Sequence, residues 1–179
     1  RGWGAQVSDL GGMQGEKRDM KVTHDRVLER LEENKLPYGV LPLQNGLSIV
    51  ITQRGGRILG PYLSQKSEGL FWMSDVWSHS ESFREFLKSG NWNLGGDRVW
   101  IAPEIQYGVR DRTDYWGTAH QPEEIDPGHY VLEDAGPSQW RLAQDMTLSA
   151  YNLASGQNQL HLERLIRPVA DPLSNVGAY

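Results

Sequence analysis

Apolar positions recur along this chain with two different spacings, and each change of spacing marks an element. Val27, Leu28 and Leu31 fall on one helical face, Thr23 is placed to cap the first turn, and Val22 and Val27 have the spacing of a hydrophobic staple. The pattern predicts a helix over residues 23–34, ending before Pro37. From Tyr38 the period shortens. Leu47, Ile49 and Ile51 alternate with Ser48, Val50 and Thr52, as in a strand with one buried face, and Gly55-Gly56 then turns the chain into a second strand over 57–63. A second helix is announced by Ser78 and Glu81 at capping-box spacing, by Phe83, Phe86 and Leu87, and by Gly90 as its stop.

The second half reads differently. Residues 111–127 are polar and turn-rich around Tyr115 and Trp116, and a loop of that length in a compact domain is often functional. Strands then follow at 128–133, 140–145, 146–152 and 159–167, separated by Gly-Pro, Asn and Ser-Gly signals. The expected fold is mainly β, an antiparallel β-sandwich with two minor helices. Residues 1–21 read as a polar, glycine-rich lead-in, and 22–179 as the β-sandwich domain.

Composition narrows the classes. A chain of 179 residues buries roughly 70% of its extended surface, enough for a true core. No apolar run approaches the roughly 18 residues of a membrane span, and a formal charge of -5 without a basic stripe argues against nucleic acid as a partner. With no cysteine there is no disulfide, thiolate nucleophile or cysteine-bound metal, and nothing assigns a compartment. Phosphate-binding, dinucleotide, zinc-protease and serine-nucleophile motifs are absent, so neither a cofactor nor a metal is expected.

The densest chemistry lies in Gly95-Gly96-Asp97-Arg98-Val99-Trp100-Ile101-Ala102-Pro103-Glu104. Asp97, Arg98 and Glu104 suit the hydroxyls of a sugar, Trp100 suits its apolar face, and the glycines permit a tight turn or close approach. The same residues also suit a structural corner with a paired Arg98 and Glu104 and an inward Trp100. For catalysis on a sugar ring, Glu104 as base and His120 as acid form the candidate pair. Arg112 and Trp116 are candidates for the rim of a carbohydrate cleft, or for a solvated loop. His161 and Glu163 share one strand face, as a catalytic pair or as an exposed polar stripe.

A strand hairpin, then GGDRVWIAPE, then strands ending in Leu162-Glu163-Arg164-Leu165-Ile166 resembles the galactose mutarotase-like (aldose 1-epimerase-like) superfamily. The similarity is to branches with a Gly-Gly-x-Arg-x-Trp-x-Ala-Pro-Glu motif and covers roughly residues 38–172. It implies a supersandwich that binds sugars on a concave sheet, and a chain of which these residues are an N-terminal portion. Arg98, Trp100 and Glu104 match the motif. No residue matches the family's C-terminal catalytic glutamate, and its histidine motif is not recognisable. A sandwich cut short would expose sheet edges, so self-association is a further expectation.

Three functions follow. The first is a carbohydrate-binding protein resembling aldose 1-epimerases, with general acid/base chemistry on a sugar ring as its enzymatic form. The second is a noncatalytic accessory or interaction module. The third, a polysaccharide lyase or glycoside hydrolase, would pair Glu104 with Asp97 or Asp111.

Overall fold

The structure is a computed structural model that describes residues 21–151, 156–171 and 177. All but the last residue of the lead-in over 1–21 therefore lies outside the described residues. Helix α1, His24–Glu33, starts where the Thr23 side chain accepts the Arg26 N–H at 3.4 Å, and ends at Asn34. Three strands follow, β1 Tyr38–Pro42, β2 Ser48–Thr52 and β3 Arg57–Tyr62, in one antiparallel sheet in that order. The hairpin through Gly55-Gly56 is present as β2–β3, with Thr52 opposite Arg57.

Helix α2, Ser80–Lys88, begins one residue later than the capping-box spacing implies. Ser78 closes a helical turn, Asp75–Ser78, and His79 stands at the cap without a side-chain bond. Glu81 sits in the first turn, where a carboxylate favours the helix dipole, and Gly90 leaves the helix at φ +75°.

The second sheet contains β4 Val131–Gly136, β5 Gln139–Ala150 and β6 Gly156–Ile166, again antiparallel and in chain order. The two strands expected at 140–145 and 146–152 are one, because no turn-forming residue separates Asp145 from Met146. Along β5, Asp145, Thr147 and Ser149 face outward while Gln144, Met146, Leu148 and Ala150 are buried. This is the alternation of a sheet with one wet face.

The first sheet is covered on both faces. Val50, Leu59 and Tyr62 pack with Val27 and Leu31 of α1 and Phe83 and Phe86 of α2. Leu41, Ile49 and Ile51 point the other way and meet Leu142 and Ile166 of the second sheet, with Tyr130 just before it. Hence β2 is not half-buried: Val50 and Thr52, placed on its polar side by the alternation, are buried as well. The expectation of two minor helices is likewise corrected. Helical residues make up 31% of the structure against 36% in strands. The stretch 111–127 is not a plain loop, since it includes a single turn at Arg112–Asp114, helix α4 Tyr115–Thr118 and the start of the turn Glu124–Gly128. Before it comes α3, Glu104–Gly108, in which the GGDRVWIAPE segment ends. Among the described residues no helix is long and apolar enough to cross a membrane.

The two sheets come into close contact where β1 meets β5. A Cβ added at Gly39 would lie 2.4 Å from the Trp140 ring, so only glycine lets the indole sit flat against the strand. Gly39→Val is expected to lower stability by about 1–3 kcal/mol, the usual cost of overpacking. A denaturant midpoint unchanged from wild type would show that this contact does not hold the sheets together.

A tryptophan-lined candidate site

The site is built on one buried cation. Arg57 opens β3 with its side chain almost wholly buried, and its guanidinium donates to the Gly95 carbonyl at 2.5 Å, the Trp92 carbonyl at 2.9 Å and the Asp126 carboxylate. Asp126 lies in the turn Glu124–Gly128 and is equally buried. Burial lowers the pKa of Arg57 and raises that of Asp126, and in each case the charge of the partner opposes the shift. One side chain thus ties the hairpin turn, the segment before the glycine pair and the loop that precedes β4.

The glycine pair has a steric reason to be there. Gly95 and Gly96 adopt φ of +92° and +75°, and a Cβ on Gly95 would lie 2.3 Å from the Trp72 carbonyl oxygen. The Gly96 N–H donates to that same oxygen at 2.8 Å. The close approach that the glycines permit is therefore to the chain's own backbone, and it fixes Trp72 beside the motif.

What results is an open cleft of about 410 Å³, walled by Phe71, Trp72, Trp92 and Trp100 with Asn93, Asp97 and Arg98 among the polar groups. Trp72 is 63% exposed and Trp100 59%, whereas Arg98 shows only 8% of its side chain to solvent. The Arg98 guanidinium lies over both indoles, 4.5 Å from the Trp92 centroid and 3.6 Å from that of Trp100. It also donates to Gln121 Oε1 at 3.3 Å and stands 3.8 Å from Glu104. Burial lowers its pKa, Arg57 adds to the shift, and Asp126 and Glu104 oppose it. Arg98 therefore packs on both rings while lining the same cleft, and Trp100 is in contact with the cation yet largely open.

Asp97 lines the cleft but has a partner: Arg164 of β6 donates to its carboxylate at 2.6 Å and to the Gly56 carbonyl at 2.8 Å. The two sequence stretches that carry the family resemblance thus touch each other. Glu104 and His120 open onto different, neighbouring depressions. Glu104 lines a small one with Arg98, Trp100, Tyr107 and Gln121, and His120 lines a larger one with Tyr107, Arg110, Gln121 and Tyr151.

The remaining candidates are placed elsewhere. Arg112 and Trp116 line none of these three depressions, and Trp116 is 88% exposed with its ring edge-on to Tyr115. Asp111 accepts the Thr113 N–H at 2.8 Å and its hydroxyl at 2.7 Å, which closes its own turn. His161 and Glu163 pair across the sheet with Asp145 and Arg141 on the outer face, as a polar ladder. Among the described residues, no group of three or more histidine, aspartate or glutamate side chains is placed to hold a metal ion.

Sequence reasoning passed over Phe71, Trp72 and Trp92, whose signal was the presence of large aromatics in stretches with neither period. It also passed over Arg57, a lone arginine beginning a strand. No family model, curated protein or solved structure matches this chain.

Removing one member of a buried ion pair strands the other, at a cost of about 3–5 kcal/mol. Asp126→Ala is accordingly expected to lower the unfolding free energy by about that amount. A loss under about 1 kcal/mol, the range of exposed pairs, would show that the Arg57 guanidinium is solvated in its place.

Proposed function

We propose that this protein binds carbohydrate in the cleft formed by Trp72, Trp92 and Trp100. The observation that carries the reading is two largely exposed indoles in one concave site beside Asn93 and Asp97. Exposed aromatic faces are costly in water and useful to a ligand with an apolar C–H face, while amide and carboxylate oxygens accept from its hydroxyls. Asp97 has one oxygen committed to Arg164, and its other oxygen is the acceptor assigned to the ligand.

Membership of the galactose mutarotase-like superfamily, with its sandwich fold, belongs to the same proposal and rests on the motif resemblance. Its enzymatic form requires Glu104 and His120 to act on one sugar ring. They flank neighbouring depressions that share Tyr107, Gln121 and Pro122, so binding is the stronger half of the proposal. A second reading has its own observation: Leu70, Phe71 and Trp72 form a continuous exposed run, which suits the accessory or interaction module.

Calorimetric titration with a panel of saccharides separates the two. Saturable binding is expected, weakened about tenfold, ~1.4 kcal/mol, by Trp100→Ala and by Trp72→Ala in folded protein. Trp116→Ala is expected to leave the affinity within about twofold, because a ring outside the cleft contributes little. Silence across the panel, with self-association that Trp72→Ala abolishes, would overturn the carbohydrate reading in favour of the interaction module.

A further inference from the structure

We infer that the ligand of this cleft is a sugar chain rather than a single ring, an inference that rests on the carbohydrate reading above. The tryptophan cleft does not end at Arg98 and Trp100. Both residues also line the small depression beside it, and Tyr107, Gln121 and Pro122 pass from that depression into the next. Two bowls of about 410 and 420 Å³, which share no lining residue, thus flank a saddle of about 10 Å³ that shares lining residues with each. Each bowl falls in the ordinary size range of a small-ligand site, and the saddle has room for about one water. A rigid single-ring ligand uses one bowl. A glycan presents bulky rings joined by slender linkages, and this alternation matches bowl, saddle, bowl.

The two bowls differ in chemistry. The first offers indole faces. The second offers Arg110, His120, Glu123, Glu124, Ser149 and Tyr151, which suits hydroxyl-rich rings held by hydrogen bonds. Its frame is built by contacts that do not need a ligand. The His120 N–H donates to the Gly108 carbonyl at 2.8 Å, the Tyr151 N–H to the Gln106 carbonyl at 2.7 Å, and Asn158 Nδ2 to the Tyr107 hydroxyl at 3.1 Å. The His120 ring stands edge-on to that of Tyr151 at 5.7 Å. The Arg98–Gln121 hydrogen bond links two residues that line the saddle. Such pre-formed contacts limit the ordering cost of binding a flexible chain. Glu104 lines the saddle, so its carboxylate is assigned to the linkage between the two bound parts rather than to either ring.

The test is a length series. Gluco-, manno-, xylo-, galacto- and N-acetylglucosamine oligosaccharides, each from monomer to hexamer, are titrated against the full chain by calorimetry. Affinity is expected to rise at least about tenfold once the chain is long enough to enter the second bowl, and then to level off. Tyr151→Ala and Arg110→Ala, made separately so that a misfolded variant does not decide the matter, are expected to abolish that rise. Trp100→Ala is expected to weaken every length. Affinity that is the same for monomer and hexamer, or a rise with length that both second-bowl variants retain, would overturn the inference while leaving carbohydrate binding intact. Absence of binding at every length by folded protein would overturn both.

Discussion

The buried pair of Arg57 and Asp126 is the constraint on which the rest of the site depends. Neither charge reaches solvent, so each needs the other, and the terminal nitrogens of Arg57 also donate to two backbone carbonyls of the segment 92–95, while its buried Nε has no partner among the described residues. An apolar pair of similar volume would fill the same space and cost less desolvation. It would offer nothing to the Trp92 and Gly95 carbonyls, which would then be stranded beside the core. Stability alone does not explain a guanidinium here; holding three irregular segments in one arrangement does.

That arrangement fixes the backbone that carries Trp72 and Trp92. Trp92 enters the cleft next to the carbonyl that Arg57 grips, and Trp72 is held through its own carbonyl by Gly96. Trp100 is held on the cation of Arg98, which is itself nearly buried. A ring packed on the Arg98 guanidinium, as those of Trp92 and Trp100 are, has less rotamer freedom to lose when a ligand arrives, so stacking on it costs less entropy than stacking on a free side chain.

The regular elements were legible where one physical signal dominated. Thr23 with the Val27, Leu31 face gave α1, and the Gly55-Gly56 turn gave the β2–β3 hairpin. The signal failed where burial came from two sides: Val50 looks like the polar partner of Ile49 and Ile51 only because α1 and α2 cannot be anticipated above it. It failed again at β1, whose Gly39 and Pro42 disguise a strand, and at β5, where an aspartate followed by methionine was taken for a boundary. At the site, the GGDRVWIAPE run was visible as chemistry. Its contacts were not, since Trp72 reaches Gly96 across 24 residues, Arg57 reaches Gly95 across 38, and Asp126 pairs with Arg57 across 69, none of them a local spacing.

Asp97 and Arg164 bear on what the family resemblance means physically. The two stretches that carry it are far apart in the chain, yet one carboxylate and one guanidinium join them, and Arg164 reaches the hairpin turn through Gly56 as well. Residues spaced in this way serve the fold even in a protein that binds nothing, so the motif alone is weak support for any activity. The tryptophans are different. Trp72 supports no other part of the structure by its ring's exposed face, and it belongs to neither stretch of the motif. The stronger argument for a ligand therefore comes from a residue outside the resemblance, and it would stand if the resemblance were set aside.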